Sequence, residues 1–301
     1  MYYSPMRLSV LDLVPVPAGG DSRTAMRNML ELARETEALG YTRYWIAEHH
    51  GSPRLGASAP EVLIAAVAAA TSTMRVGSGA VLLPYYSPVK VAEVFSTLNA
   101  LYPGRIDLGL GRGRGASEAH AAALGRAYAE YSDRLIDLLA FLTGGYPEDH
   151  PYASVEVHPV CDDLPDTWLL GSTVESASLA AEMGLPFAFA LFVRHEDTAT
   201  ALRTYREQFA EDAMTPSPQT IIAVEVTCAA TDRLAASLSV ESGDEALPAS
   251  AEQMTGSPKR LGKLLRSLVA ETGADEVMIS TLIDDHAARL RSYRLLAREL
   301  L

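Results

Sequence analysis

Runs of consecutive apolar residues alternate with segments of helical period along most of the chain. The apolar runs predict strands at Leu8–Val14, Arg43–Ala47, Arg75–Leu83, Arg105–Gly109, Thr167–Leu170, Phe187–Val193, Thr220–Cys228 and Glu276–Leu282. They are nearly continuous rather than strictly alternating, which is the mark of parallel strands covered by helices. Helical patterns follow them. Val91, Val94, Phe95, Leu98 and Leu101 fall on one helix face, as do Leu135, Leu138, Leu139 and Leu142. Leu261, Leu264, Leu265 and Leu268 repeat the pattern, with Gly273 closing the segment, and Leu290, Tyr293, Ala297 and Leu300 mark a last helix. Eight β-then-α units predict an α/β fold, a (β/α)8 TIM barrel with loop insertions, as one domain over residues 1–301. Gly144–Asp166 is Pro-rich and polar and reads as a long surface loop. Asp232–Ser257 has weak periodicity and reads as a short or frayed helix with a mobile loop.

Charge and composition narrow the function classes. With 25 Lys and Arg against 38 Asp and Glu, the net charge is −13. That argues against nucleic acid and against an anionic membrane surface as partners. The longest wholly apolar runs, such as Val62–Ala70, are about nine residues, and a spanning helix needs about 20. The first residues show no signal-peptide pattern. Cys161 and Cys228 have neither zinc spacing nor the density of a disulfide scaffold, so a reducing, cytoplasmic setting and no structural metal are expected.

In a barrel of this type the C-terminal strand ends build the active site, so polar groups there are the candidates. The second predicted strand ends in Glu48-His49-His50. Adjacent histidines on an extended chain point to opposite sides. One of them serves as an acid/base or hydrogen-bond donor in the mouth, or it satisfies loop carbonyls; both readings stand. The third strand contains Gly77-Ser78-Gly79-Ala80, small residues that mark either close approach of a ligand to the backbone or tight packing. The fourth runs into Gly109-Leu110-Gly111-Arg112-Gly113-Arg114-Gly115. This lacks dinucleotide-binding spacing, but guanidinium forks beside exposed N–H groups suit a phosphate. Gly171-Ser172-Thr173-Val174-Glu175-Ser176 follows the fifth strand and opens an Ala-rich helix, so it can cap that helix, bind an anion, or do both. Asp284-Asp285-His286 reads as a helix cap with first-turn acids more readily than as a metal trio. Glu225 interrupts an apolar strand, and its direction is open.

These motifs come in a telling order. Leu39-Gly40-Tyr41 precedes Tyr44-Trp45-Ile46-Ala47-Glu48-His49-His50. Then come Val76–Pro84, Tyr102-Pro103-Gly104-Arg105-Ile106-Asp107 with its glycine-rich continuation, Leu170-Gly171-Ser172, and Ala181–Pro186. In this order and spacing the chain resembles the luciferase-like monooxygenase family, flavin-dependent (β/α)8 barrels that include the bacterial luciferase subunits. The resemblance runs from Arg7 to about Leu301.

The resemblance implies FMN as cofactor, supplied in reduced form by a separate flavin reductase. It implies O2 as co-substrate, a small organic substrate and a homodimer. His49 matches the family's active-site histidine, with His50 the neighbouring candidate. Gly79 and Ala80 match a non-proline cis peptide beneath the flavin ring. Arg112, beside Gly113, matches a phosphate-binding arginine. Ser172, Thr173 and Ser176, after Gly171, match the phosphate-binding hydroxyls. The segment Leu191-Phe192-Val193 departs from relatives that place aromatic or histidine residues there. Two alternatives share these motifs: a deazaflavin-dependent hydride-transfer enzyme and a non-catalytic flavin-binding partner subunit. If the small residues at the third strand serve a ring, Gly79→Val is expected to abolish cofactor binding without disturbing the core.

Overall fold

The computed structural model describes residues 6–125, 131–210, 215–239 and 253–301. Its first half contains β1 (Leu8–Asp12), α1 (Ser22–Ala38), β2 (Arg43–Ile46), α2 (Pro60–Ala70), β3 (Arg75–Ser78), β4 (Val81–Leu82), α3 (Pro88–Leu101), β5 (Ile106–Gly111), α4 (Glu118–Ala123) and α5 (Tyr131–Thr143). The second half contains β6 (Asp166–Gly171), α6 (Val174–Glu182), β7 (Phe187–Ala190), α7 (Thr198–Gln208), β8 (Thr220–Cys228), α8 (Asp232–Leu238), β9 (Gln253–Gly256), α9 (Pro258–Thr272), β10 (Glu276–Ser280) and α10 (His286–Leu300). Strands pair in parallel in the order β1-β2-β3-β5-β6-β7-β8-β10, and β10 pairs back to β1, closing an eight-stranded barrel with helices between the strands. All eight predicted strands are present. The third is divided in two, β3 and β4, at a cis peptide between Gly79 and Ala80.

Alternation along each strand sorts side chains into two cores. On β2, Tyr44 and Ile46 join the large cluster between strands and helices, while Trp45 and Ala47 join a smaller cluster inside the barrel. On β8, Ile222, Val224 and Val226 face the helices, while Ile221 and Ala223 face inward. Leu11, Trp168, Ala188 and Met278 complete the interior from their own strands. Trp45 and Trp168 meet edge to face, with ring centroids 5.5 Å apart.

The N-terminal end of the barrel is closed by ions. Arg43 donates to Asp107 at 2.9 Å and to Glu276 at 3.1 Å, and its guanidinium lies 4.8 Å from the centre of the Trp168 ring. Arg75 donates to the other Asp107 oxygen at 2.7 Å, and the Trp45 indole N–H donates to Asp107 at 2.8 Å. Ser9 donates to Glu276.

Three expectations need revision. Leu101 is 61% exposed. It lies about 80° round the helix from Val91 at 3.6 residues per turn, beyond the covered face. Leu264 is 41% exposed for a similar edge position. Within Asp232–Ser257 the short helix is present as α8, but a strand, β9, also occurs there. Its four residues, Gln-Met-Thr-Gly, carry no apolar run that would announce it. Residues 240–252 of that segment lie outside the described residues. The connection from Gly144 to Pro165 has neither helix nor strand, as expected. No helix among the described residues is long and apolar enough to cross a membrane.

Asp107 is fully buried beneath two guanidinium groups and an indole. Asp107→Ala would leave those donors without their acceptor in the barrel end. Breaking a buried pair in this way costs about 3–5 kcal/mol. A clear fall in the urea midpoint is expected, and an unchanged midpoint would show that the barrel does not depend on this closure.

Candidate active site

The opposite end of the barrel holds a cavity of about 960 Å3, near the upper end of the roughly 300–1,000 Å3 usual for ligand sites. Its deep wall is apolar, with Leu11, Ala47, Leu169, Ala188, Ala223 and Met278. Its rim is polar, with side chains from the ends of β2, β5 and β6 and from β8, β9 and β10.

At the end of β2 the two histidines separate. His49 continues the inward parity of Trp45 and Ala47 and lines the cavity. His50 is absent from the cavity lining. Its Nε2 pairs with Glu48 Oε1 at 2.7 Å, and its ring meets Tyr85 edge-on. Glu48 also lines the cavity and is buried. It accepts from the Leu82 backbone N–H at 2.8 Å and from the Tyr86 hydroxyl at 2.9 Å. Burial, and then the nearby Glu48 charge, push the Tyr86 phenol far up, so its proton stays on the oxygen and points at Glu48. Glu48 thus ties β2 to the turn after β4. Its only signal in the sequence was an acidic residue directly before the histidine pair.

Gly79 and Ala80 both line the cavity, and the peptide joining them is cis, as the resemblance implied. A Cβ at Gly79 would lie 2.7 Å from Leu11 Cδ1 and 3.2 Å from Trp45 Cβ. A side chain there would press on Leu11 and Trp45 as well as enter the cavity, so Gly79→Val probes packing and ligand approach together.

The rim's basic part is the β5 extension. Arg112, Gly113 and Arg114 line the cavity, and Arg112 is exposed. Tyr131, at the start of α5, also lines it. Its buried hydroxyl has no partner among the described residues. Burial raises its phenol well above the ordinary value, and the positive Arg112 nearby partly offsets this. An orphaned hydroxyl beside a guanidinium fits an anionic ligand that accepts from both. Nothing in the sequence pattern singled out Tyr131, because a tyrosine at a helix start is not distinctive.

Next to this loop, Gly171, Ser172, Thr173 and Ser176 line the cavity at the N-terminus of α6. Thr173 is the N-cap. Its hydroxyl accepts from Ser176 N at 3.2 Å, and Ser176 Oγ accepts from Thr173 N at 3.2 Å while donating to the Thr173 carbonyl at 2.8 Å. The Ser176 hydroxyl is therefore occupied inside the cap, and it shapes this part of the rim by holding the helix start. Glu175, in the first turn, is held below the usual carboxylate range by its own backbone N–H and the Thr173 hydroxyl. A Cβ at Gly171 would fall 2.1 Å from Ser176 Oγ, which explains the glycine.

Other candidates fall elsewhere. Asp285 caps α10, accepting from Ala288 N at 2.6 Å. No group of His, Cys, Asp and Glu suited to a metal occurs among the described residues. Phe192 and Val193 line the cavity beyond β7, and Glu225 lines it from β8.

The apolar interior and the basic, N–H-rich rim together suit a ligand with a flat apolar body and an anionic end. The class so defined is a (β/α)8-barrel enzyme with its site at the C-terminal mouth. The chain belongs to the luciferase-like monooxygenase family, whose model matches residues 6–281, and it is accordingly an oxidoreductase. It is 37% identical to the luciferase-like monooxygenase of Escherichia coli K12, over 95% of this chain and 95% of that protein. Among solved structures it is similar to apo-MsnO8, at 38% identity, with a TM-score of 0.89 and 98% coverage of each chain. Two more distant structures share the fold. The oxygenating constituent of 3,6-diketocamphane monooxygenase, solved with FMN, is 21% identical with a TM-score of 0.74 and coverage of 99% of this chain and 98% of that one. An F420-dependent secondary alcohol dehydrogenase is 12% identical with a TM-score of 0.76 and coverage of 99% and 100%.

Gly171→Ala would force the α6 cap away from β6. Loss of the cap costs about 0.5–2 kcal/mol and the overpacking about 1–3 kcal/mol. The variant is expected to melt several degrees lower than the parent, and Thr173→Val is expected to show the cap's share alone. Parent-like melting of Gly171→Ala would show that the helix start yields freely.

Proposed function

We propose that this protein is an FMN-dependent monooxygenase that uses reduced flavin and O2 to oxygenate a small organic substrate. The observation that carries the reading is the meeting of two anion-adapted elements on one rim, the Arg112–Gly113 loop and the α6 N-terminus, above an apolar cavity. Arg112 would take the cofactor phosphate with a charge-assisted fork, Tyr131 would add its hydroxyl, and Gly113 and Gly171 would let the backbone approach. The N-terminus of α6, held by the Thr173–Ser176 cap beside Ser172, would present its positive end to the same group. Gly79 and Ala80 would lie against the ring. Reduced flavin, when bound, supplies the electrons by which one oxygen atom enters the substrate and the other leaves as water. His49, which lines the cavity, would hold or deliver a proton at its imidazole. His50 pairs with Glu48 outside the cavity lining. The apolar wall keeps water from the reacting groups.

A separate reductase would deliver the reduced flavin, a homodimer is the expected assembly, and the cytoplasm is the expected location. The FMN in the diketocamphane enzyme supports the cofactor choice. The F420-dependent dehydrogenase on the same fold supports a second reading, deazaflavin-dependent hydride transfer, since a phosphate rim serves either cofactor.

Anaerobic titration with reduced FMN tests the rim. Arg112→Ala is expected to bind about ten- to a hundredfold more weakly, the loss of a charge-assisted contact of about 1.5–3 kcal/mol. Unchanged affinity would remove Arg112 from the site, and F420 binding about tenfold tighter than FMN would select the deazaflavin reading. For the histidines, the readout is the rate at which O2 oxidises bound reduced FMN without substrate. His49→Ala is expected to bind FMN like the parent but to oxidise it faster, releasing hydrogen peroxide, while His50→Ala changes the rate less. The reverse order would transfer the role to His50.

A further inference from the structure

Resting on the flavin-oxygenase reading above, we infer that Leu13 limits the bulk of the substrate's apolar part, and that a left-handed turn at Val14 fixes it in that place. Both residues directly follow β1. Leu11 and Leu13 belong to the inner cluster and line the cavity. In the closed order of strands, β1 is four places from β6 in either direction. Leu13 therefore faces the mouth from the side opposite the α6 N-terminus. The lining that β1, β10 and the residues just after them supply is Leu11, Leu13, Met278, Ser280 and Leu282, and none of these is ionisable. A cofactor with its phosphate at the α6 rim leaves this wall to the substrate, and the wall suits an uncharged, apolar group.

The backbone beyond Leu13 is unusual. Val14 has a φ of 53°, and it is the one non-glycine residue in the left-handed region among the described residues. A β-branched residue rarely adopts this conformation, and it persists only where its surroundings enforce it. Val14 is buried. Its N–H donates to Asp12 Oδ1 at 2.7 Å, and its carbonyl accepts from Gly56 N at 2.8 Å. Val16 N donates to the Arg54 carbonyl at 2.8 Å, so the chain after β1 is pinned along the loop after β2.

Asp12 is itself fixed. Arg289 donates to its Oδ1 at 2.6 Å and to the Thr281 carbonyl at 2.9 Å, and the Tyr44 hydroxyl donates to its Oδ2. Asp12, Tyr44 and Arg289 are all buried. A glycine would make the same turn without strain. The valine and its clamp leave the backbone beside Leu13 little freedom, as a residue that sets the size of a site requires.

Two neutral probes of different bulk, benzyl alcohol and 2-naphthylmethanol, test this by ligand-observed NMR titration. Saturating FMN occupies the anion rim during the titration, or inorganic phosphate does so if FMN does not bind. The readout is the ratio of the two affinities. Leu13→Ala is expected to shift that ratio about tenfold toward the naphthyl probe. Leu13→Phe is expected to shift it toward the benzyl probe, and both variants are expected to keep parent-like FMN affinity. Val14→Gly keeps the turn and loosens it, so it is expected to shift the ratio in the same direction as Leu13→Ala by a smaller factor. It is also expected to melt no lower than Val14→Ala, the reverse of the usual order for glycine and alanine. A ratio that neither Leu13 variant moves overturns the inference, as does a change confined to FMN affinity. A Val14→Gly protein that keeps the parent ratio, or melts below Val14→Ala, overturns the role of the turn. A Leu13-dependent ratio in protein that binds no FMN supports the selector and defeats the cofactor reading, so the two failures are told apart.

Discussion

The cavity exists because the barrel interior is filled from one end only. Asp107, Glu276, Arg43 and Arg75 close the N-terminal end with paired charges, and Trp45 and Trp168 fill the layer above them. Buried ions of this kind are tolerated only when every member is paired, because the desolvation cost is several kcal/mol per ion. The Trp45 indole donates to Asp107 and the Trp168 ring lies against Arg43, so the aromatic layer and the ionic layer hold each other. Above them the inward positions turn small, with Ala47, Gly79, Gly111, Ala188, Ala190 and Ala223. Bulk at the bottom and small residues at the top leave the space at the C-terminal mouth.

Local charge governs that mouth more than the total of −13 does. Charges in water are screened beyond roughly 8–10 Å at ordinary salt. The acids spread over the surface therefore contribute little at Arg112. What matters there is the guanidinium, the helix N-terminus and the first-turn Glu175, whose carboxyl Arg112 also helps keep ionised. Glu175 tempers the positive field without cancelling it, because its main partners are its own backbone N–H and the Thr173 hydroxyl.

Much of this was legible in the sequence. The barrel strands were visible because parallel strands buried on both faces are apolar throughout, and that signal does not depend on partners far away. The arginine loop and the α6 start were visible because Gly-Arg-Gly and Ser-Thr follow strand ends, but a helix cap and an anion site give the same signal there. His49 and His50 could not be separated by composition, since only the parity running through Arg43, Trp45 and Ala47 assigns them opposite sides. Tyr131 was hidden because its relevance comes from what lies beside it in space. Gly79 is ambiguous in the sequence because a small residue in a strand has two physical causes, and in space it has both, lining the cavity while packing against Leu11. Strand β9 was missed because four residues without an apolar run are strands only by virtue of pairing with β8.

That last strand changes how the wall of the mouth is divided. Strand β7 pairs with β8 only as far as Ala190 opposite Ala223. From Glu225 onward, β8 is paired with β10 on one side at Ser280 and with β9 on the other at Gln253. A residue can offer its backbone to one neighbour on each side, so β9 occupies the place above the short β7. The upper wall is therefore built from chain that enters after α8 and is not part of the closed barrel. Changes in β9 can reshape the surroundings of Glu225 without touching the ionic closure or the tryptophan layer. The basic rim, by contrast, grows directly from β5 and β6, whose inner residues are bound into both layers through Asp107 and Trp168. A fixed rim on barrel strands and an adaptable wall on an inserted strand is the arrangement expected when loops on a rigid scaffold vary the ligand while the scaffold keeps the common chemistry.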